Sequence, residues 1–445
     1  MAIGAKKIRR IAGLLRSRLP ELHLDQVTDP RSRRGRRWKY LALLLRATML
    51  GVMAGCKNLT ALEALTDEMS VASRRMLRIP RRIPDTSMRN TLIKLPAEEL
   101  RRVIFRQIKT AHRRKAIPPF GLPFGQVAID GRSTALPDVP PDKVPKGSDG
   151  DWAEQFAQRH TRSDGTSYRL MRTITCTLVS ARAKPCIDAV PIPARTNEMG
   201  HFATVLRDLM KVYRRSKLFQ LVSADAGNCS LANAGLVTDE LSLDYLFRLK
   251  ADQPTLLAEA KRLLGGRRAR QAVAKTVDVV GSTTETRRLY ITDEMAGFLD
   301  WGHLRTTIRI RKQKHDIQTG KLLESEDHYA ISSLDMDALS KDQWLYAFRI
   351  HWGVENQCHN VWDTTFTEDK HPWINADPKG MVAVLLLRRL AYNMLALFRA
   401  VTQRSEDLRQ IPWKTLMRWV YNTIIAAQPA DLEGLRNRQV ATIEV

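Results

Sequence analysis

Acidic residues are in short supply in this chain: 47 Asp and Glu stand against 72 Lys and Arg, which leaves a net charge of +25 over 445 residues. Cysteine is scarcer still. Cys56, Cys176, Cys186, Cys229 and Cys358 are an odd, scattered set without a Cys-x-x-Cys pair, so neither a disulfide framework nor a structural zinc site is indicated, and a reducing cytoplasm fits. Unbroken hydrophobic runs of membrane-spanning length are missing too. Leu41 to Gly55 is short and interrupted by Arg46, and Met381 to Ala400 is interrupted by Arg388 and Arg389. The first reads as a buried helix and the second as an amphipathic core helix. There is no lipidation motif and no clean amphipathic basic helix, so a membrane partner is not expected. Internal repeats and long low-complexity segments are absent as well.

What is present is a large apolar fraction, 44%, and enough chain for about three domain-sized units. A soluble, globular, cytoplasmic protein that holds a polyanion is the expectation, with nucleic acid as the leading partner. The first 120 residues read as helices joined by basic connectors. Arg33, Arg34, Arg36 and Arg37 precede the apolar Leu41 helix, Arg74, Arg75, Arg78, Arg81 and Arg82 follow it, and Ile83 to Ser87 looks like a turn that opens a helix toward Leu95. Helices meeting at a basic turn suggest a DNA grip, through phosphates more than bases; the same pattern also suits arginines that are merely solvated.

From Gln126 the periodicity changes. Val127 to Asp130 reads as a short buried strand, Tyr168 to Ser180 and Cys186 to Ile192 as two more, and Leu136 to Trp152 as a loop between them. Helices over Thr196 to Tyr213 and Pro254 to Leu264 alternate with strands over Leu218 to Ala224 and Tyr245 to Leu249. Val273 to Val280, Arg287 to Thr292 and Thr306 to Arg311 alternate enough to form an inserted sheet.

The chemistry concentrates late in the chain. Ser340 and Gln343 are spaced as a capping box, which starts a helix at Lys341 that carries His351, Glu355 and His359 at i, i+4 and i+8 on one face. A solvated ion pair would give the same spacing. Asp130 and Asp225 each close an apolar run, and a carboxylate there is costly unless paired or metal-bound. A strand-end turn residue is the plain alternative for either Asp alone. Together with Glu355 they would suit hard divalent cations, Mg²⁺ or Mn²⁺, of which two about 3.5–4 Å apart can serve phosphoryl transfer. His351, Cys358 and His359 lie close in sequence, but Cys358 faces another way and no second pair completes a zinc site.

The ordered set Ala128-Ile129-Asp130-Gly131, Thr196-Asn197-Glu198, Ala224-Asp225-Ala226, Leu249-Lys250, Asp252-Gln253, Asp327-His328-Tyr329 and His351-Trp352-Gly353-Val354-Glu355-Asn356, with Trp362-Asp363, Phe366 and Glu368-Asp369, resembles the DDE transposases of bacterial insertion sequences, and most closely the ISAs-type, H-repeat-associated group. The resemblance implies an α/β ribonuclease-H-like catalytic core with a β-rich insertion, preceded by a helical N-terminal domain. The expected boundaries are a DNA-binding domain over 1–120, the first part of the core over 121–264, the insertion over 265–338, and the helical completion over 339–445. It further implies Asp130, Asp225 and Glu355 as a catalytic and metal-binding triad, with cleavage and strand transfer of double-stranded DNA by a homodimer. Arg33, Arg34, Arg36, Arg37, Arg132, Lys250, Arg349, His351, Trp352 and Asn356 are then expected to touch DNA. Counting from Glu355, Phe348, His351 and Trp362 stand where the wider superfamily has Tyr, Arg and Lys; His351 could replace the Arg as a phosphate donor, and Trp352 is either a base-stacking platform or a core residue. A nuclease that cuts without joining, or a DNA-binding regulator, shares most of these features.

Overall fold

The computed structural model describes residues 4–32, 40–403, 405–433 and 435. Its strands are β1 (Gln126–Pro137), β2 (Ala157–Thr161), β3 (Ser167–Leu178), β4 (Cys186–Pro191), β5 (Leu221–Ala224), β6 (Asp244–Leu249), β7 (Ala274–Val280), β8 (Thr283–Thr292), β9 (Thr306–Asp316) and β10 (Leu322–Ser332). All belong to one sheet, ordered β2-β3-β1-β5-β6-β10-β9-β8-β7, with β4 also on β3. The pairs β1·β5 and β5·β6 are parallel and the rest antiparallel. The fold is therefore mixed α/β.

Burial explains the centre. β5 is buried along its whole length and β1 over its first four residues, as expected of parallel strands covered on both faces. The chain passes from β5 to β6 through a short helix, Leu231–Gly235, and a π turn, Leu236–Glu240. β1 runs well past Asp130, because Gly131 to Pro137 keep pairing with β3 as far as Pro137 opposite Tyr168. The expected loop after Leu136 is partly helical: Asp149 caps Gly150–Phe156 by accepting from the Trp152 N–H at 3.0 Å. The strands expected as an inserted sheet instead prolong the same sheet, since β10 pairs with β6 from Tyr329 opposite Leu249 to Ser332 opposite Leu246.

The helices of both chain ends share one core. Ala5–Arg18, Leu41–Ala54 and Ala97–Arg113 pack with Pro378–Leu397 and Trp413–Ala426. Polar ties fasten the layers: Gln107 Nε2 donates to the Leu390 carbonyl at 3.1 Å, and Arg101 grips the buried Asp188 of β4 at 2.7 Å. Pro378–Leu397 is buried all round rather than amphipathic. Its two arginines are accommodated because Glu368 folds back on them, receiving Arg389 at 2.7 and 2.8 Å. By length and composition the Pro378–Thr402 stretch could cross a membrane, but 94% of its apolar window is buried inside the protein, which makes it a core helix.

Candidate metal centre

In the parallel pair β1·β5 the last matched residues are Ile129 and Ala224. The next residue on each strand is an aspartate, Asp130 and Asp225, so the two stand side by side where the parallel pairing ends, just past β5 and partway along β1. Asp225 leaves the sheet at once, as the residue before the 3₁₀ turn Ala226–Asn228. Glu355 arrives from the other end of the chain. The capping box forms as the spacing predicts, with the Gln343 N–H donating to Ser340 Oγ at 3.3 Å and the Ser340 N–H to Gln343 Oε1 at 2.9 Å, and the helix Lys341–Ile350 leads into a π-helical stretch, Val354–His359. Such widened turns recur at functional sites. One carboxylate oxygen from each of Asp130, Asp225 and Glu355 lies within 4.8 Å of the others.

The Glu355 segment also gives each aspartate an imidazole. His351 Nε2 is 3.4 Å from Asp225 Oδ1 and its Nδ1 is 3.2 Å from Ser223 Oγ, while His359 Nδ1 is 3.3 Å from Asp130 Oδ2. The hydrogen bond from His351 comes first in holding Asp225 down at about 2; burial opposes it, and the positive charges of His351, Arg248 and Lys250 reinforce it. Asp130 is pushed the other way, to about 8, first by burial and then by the charges of Glu198, Glu355 and Asp225. Burial, with Arg389 and Arg132 nearby, holds His359 down at about 3, so this ring is neutral and its 3.3 Å approach to Asp130 is not an ion pair.

Glu198 is a fourth carboxylate that reasoning from the sequence did not place here. Its Oε1 accepts from Asn228 Nδ2 at 3.0 Å, and its Oε2 lies 1.9 Å from where a side-chain carbon on Gly131 would stand. One carboxylate thus spans from the residue after Asp130 to the turn after Asp225. Its signal was masked, because Asn197 caps the helix Glu198–Tyr213 and an acid in a first turn is ordinary helix chemistry. Arg248 was missed as well. It reaches Asp225 Oδ1 at 3.4 Å from β6, and the exposed Lys250 follows directly after the end of that strand.

The other expected DNA contacts fare differently. Arg33, Arg34, Arg36 and Arg37 lie outside the described residues. Arg132 is turned inward, only 7% exposed, and ion-paired with Asp363, Asp369 and Glu368, so it braces the late segment rather than meeting DNA. Arg349 is bound to Asp278 of β7 at 2.9 Å. His351 is buried, and both ring nitrogens are engaged by Asp225 and Ser223, so it is not offered to a phosphate. Trp352 is half-buried, edge-on to Phe348 with centroids 4.9 Å apart and with the Arg248 guanidinium 4.9 Å from its ring. Asn356 is exposed and opens onto a separate hollow beside Arg182. Trp362 is fully buried under Arg389, 3.3 Å from the ring centroid, and Cys358 faces Tyr392 in the core, away from any zinc-like set.

The donor set is all carboxylate oxygen, drawn from three separate elements, which suits a hard divalent cation. Without a cation the cluster is costly, as the raised Asp130 records. No protein-family model matches the chain and no curated protein matches its sequence.

Proposed function

We propose that this chain is a metal-dependent DNA transposase of the DDE kind, with a ribonuclease-H-like core. The observation that carries the reading is the meeting of Asp130, Asp225 and Glu355 where the parallel pairing of β1 and β5 ends. The strand order β4-β3-β1-β5-β6, with the last two additions parallel, supports the core assignment, and the charge of +25 supports a nucleic-acid substrate. Asp130, Asp225 and Glu355 would hold Mg²⁺ or Mn²⁺, which when bound activates an attacking oxygen and steadies a leaving one.

The residues around the triad divide the remaining work. His359 and His351 fix the two aspartates in orientation, as outer partners of ligating carboxylates do. Arg248 and Lys250 put positive charge beside Asp225, where the phosphate of a bound strand would lie. In the proposed reaction water attacks the phosphorus at the element's end, the bond from phosphorus to the 3′-oxygen breaks, and a 3′-hydroxyl and a 5′-phosphate result. That hydroxyl then attacks a phosphodiester of target DNA; a new bond forms and the displaced target oxygen leaves as a 3′-hydroxyl. Joining needs both ends at once, which implies a homodimer. Incubation of the protein and Mg²⁺ with pre-cleaved element ends and a target plasmid tests this: joined products support the transposase, and cutting without joining would leave a nuclease.

A further inference from the structure

A second feature lies beside the triad on the flank of the same helix. Asn356 and Gln357, the two residues after Glu355, are exposed and line a hollow of about 750 Å³. Its walls carry four cations, Arg182, Lys184, Arg399 and Arg409, against a single carboxylate, Glu406. Glu406 is already taken by Arg409 at 3.3 Å. Among the described residues Arg182 has no ion pair or hydrogen bond; it is exposed and lies 4.1 Å from the ring centre of Phe120, itself 44% exposed. Nor has Lys184 an acidic partner among the described residues. Its stem runs along Gly353, where an added side-chain carbon would stand 2.9 Å from Lys184 Cε, and burial lowers its pKa. Arg399 sits over the half-buried Trp413 at 4.5 Å.

Arg399 donates to the Arg409 carbonyl at 3.2 Å and Arg409 pairs with Glu406, which leaves Arg182 and Lys184 as the cations without an acidic partner among the described residues. Such cations beside the exposed Phe120 ring and the exposed amides of Asn356 and Gln357 suit unpaired nucleotides, with phosphates meeting the cations and a base lying on the ring. The hollow has the volume of a small-ligand site, about 300–1,000 Å³, which suits a few nucleotides of one strand and not a duplex. We propose that this hollow binds single-stranded DNA, the strand that leaves the acidic cluster past Asn356 and Gln357. The assignment rests on the reading of the triad as a DNA-cleaving centre, but it is tested without cleavage.

The test is fluorescence anisotropy in EDTA with a labelled oligothymidine of about 12 nucleotides, compared with a duplex of the same length. Arg182→Ala and Phe120→Leu alter exposed side chains, and circular dichroism with thermal melting checks that the fold is kept. Each variant should bind the single strand about tenfold more weakly than the wild type while duplex affinity holds, and Arg182→Ala should flatten the salt dependence by about 0.7 in log–log slope. The assay runs in EDTA and reads binding alone, so a failure of the cleavage reading does not alter this result. Unchanged single-strand binding in both variants, or equal losses on single strand and duplex, would overturn the proposal and leave the hollow as a solvated cationic surface.

Discussion

Replacing Asp130 by Asn should make the metal-free protein more stable. Asp130 rises from its ordinary 3.8 to about 8, because burial and the neighbouring carboxylates disfavour its charge. A carboxyl raised in this way binds its proton more tightly when folded, so its contribution to stability is fully present below pH 3.8 and is lost progressively as pH climbs to about 8. At pH 7 that span is about 3 pH units at about 1.4 kcal/mol each, so the loss is at most about 4 kcal/mol. In a chain of 445 residues each kcal/mol moves the melting temperature by about 1 °C, so Asn should gain up to about 4 °C. Scanning calorimetry in EDTA from pH 4 to 9 reads the effect. The two proteins should melt together at about pH 4, diverge up to about pH 8, and stay parallel above it. If the proposed metal site holds, Mg²⁺ should stabilise the wild type more than the variant, since a ligand that binds the folded state stabilises it. A difference that does not change with pH, or an Asn variant that melts below the wild type at pH 8 in EDTA, would refute the reasoning.

Other outcomes follow from the same geometry. Gly131→Ala puts a carbon 1.9 Å from Glu198 Oε2, so it should cost about 1–3 kcal/mol in a urea melt, and Glu198→Ala in the same chain should recover most of it. Additive losses in that double variant would mean that Glu198 does not press on Gly131. Trp352→Ala should lower the melting temperature and slow cleavage equally on intact duplex and on DNA unpaired at the junction, because Phe348 and Arg248 already occupy the ring. A much larger loss on the duplex would instead show the ring stacking on an extruded base. Changing Arg33, Arg34, Arg36 and Arg37 to Ala should weaken DNA binding and lower its salt slope by about 0.9 for each lost phosphate contact. An unchanged titration across salt concentrations would make that cluster a solvated face.

Local signals in the sequence were reliable where a single element decides its own shape. The capping box at Ser340 and Gln343 formed, the helix Pro254–Leu264 has its expected bounds, β5 sits inside the apolar run that predicted it, and β6 covers its run with Asp244 added. Asp130, Asp225 and Glu355, singled out in the sequence, do meet, but the helix expected to carry His351, Glu355 and His359 on one face stops at Ile350, and the two imidazoles reach Asp225 and Asp130 instead. What escaped depends on partners distant in the chain. β1 continues past Asp130 because β3 pairs with it, and the exposed polar front of β10 is a strand because β9 holds it. Arg132 reads as a surface cation until Asp363, Glu368 and Asp369 close over it, and the arginines of Pro378–Leu397 look amphipathic until Glu368 neutralises them. Glu198 was hidden because a first-turn acid needs no further explanation.

The most direct test of the central claim is single-turnover cleavage, in Mg²⁺ and in Mn²⁺, of DNA carrying the element ends that the proposed function requires, by the wild type and by Glu355→Gln. The amide keeps the shape of the side chain and its fold but removes one of the three charges that would hold the cations. Wild-type cleavage that requires the divalent ion, with a drop on the order of 10³ or more in the variant and unchanged DNA binding, is the predicted result. Cleavage by Glu355→Gln within about tenfold of the wild type, equivalent to less than about 1.4 kcal/mol of transition-state stabilisation, would contradict it.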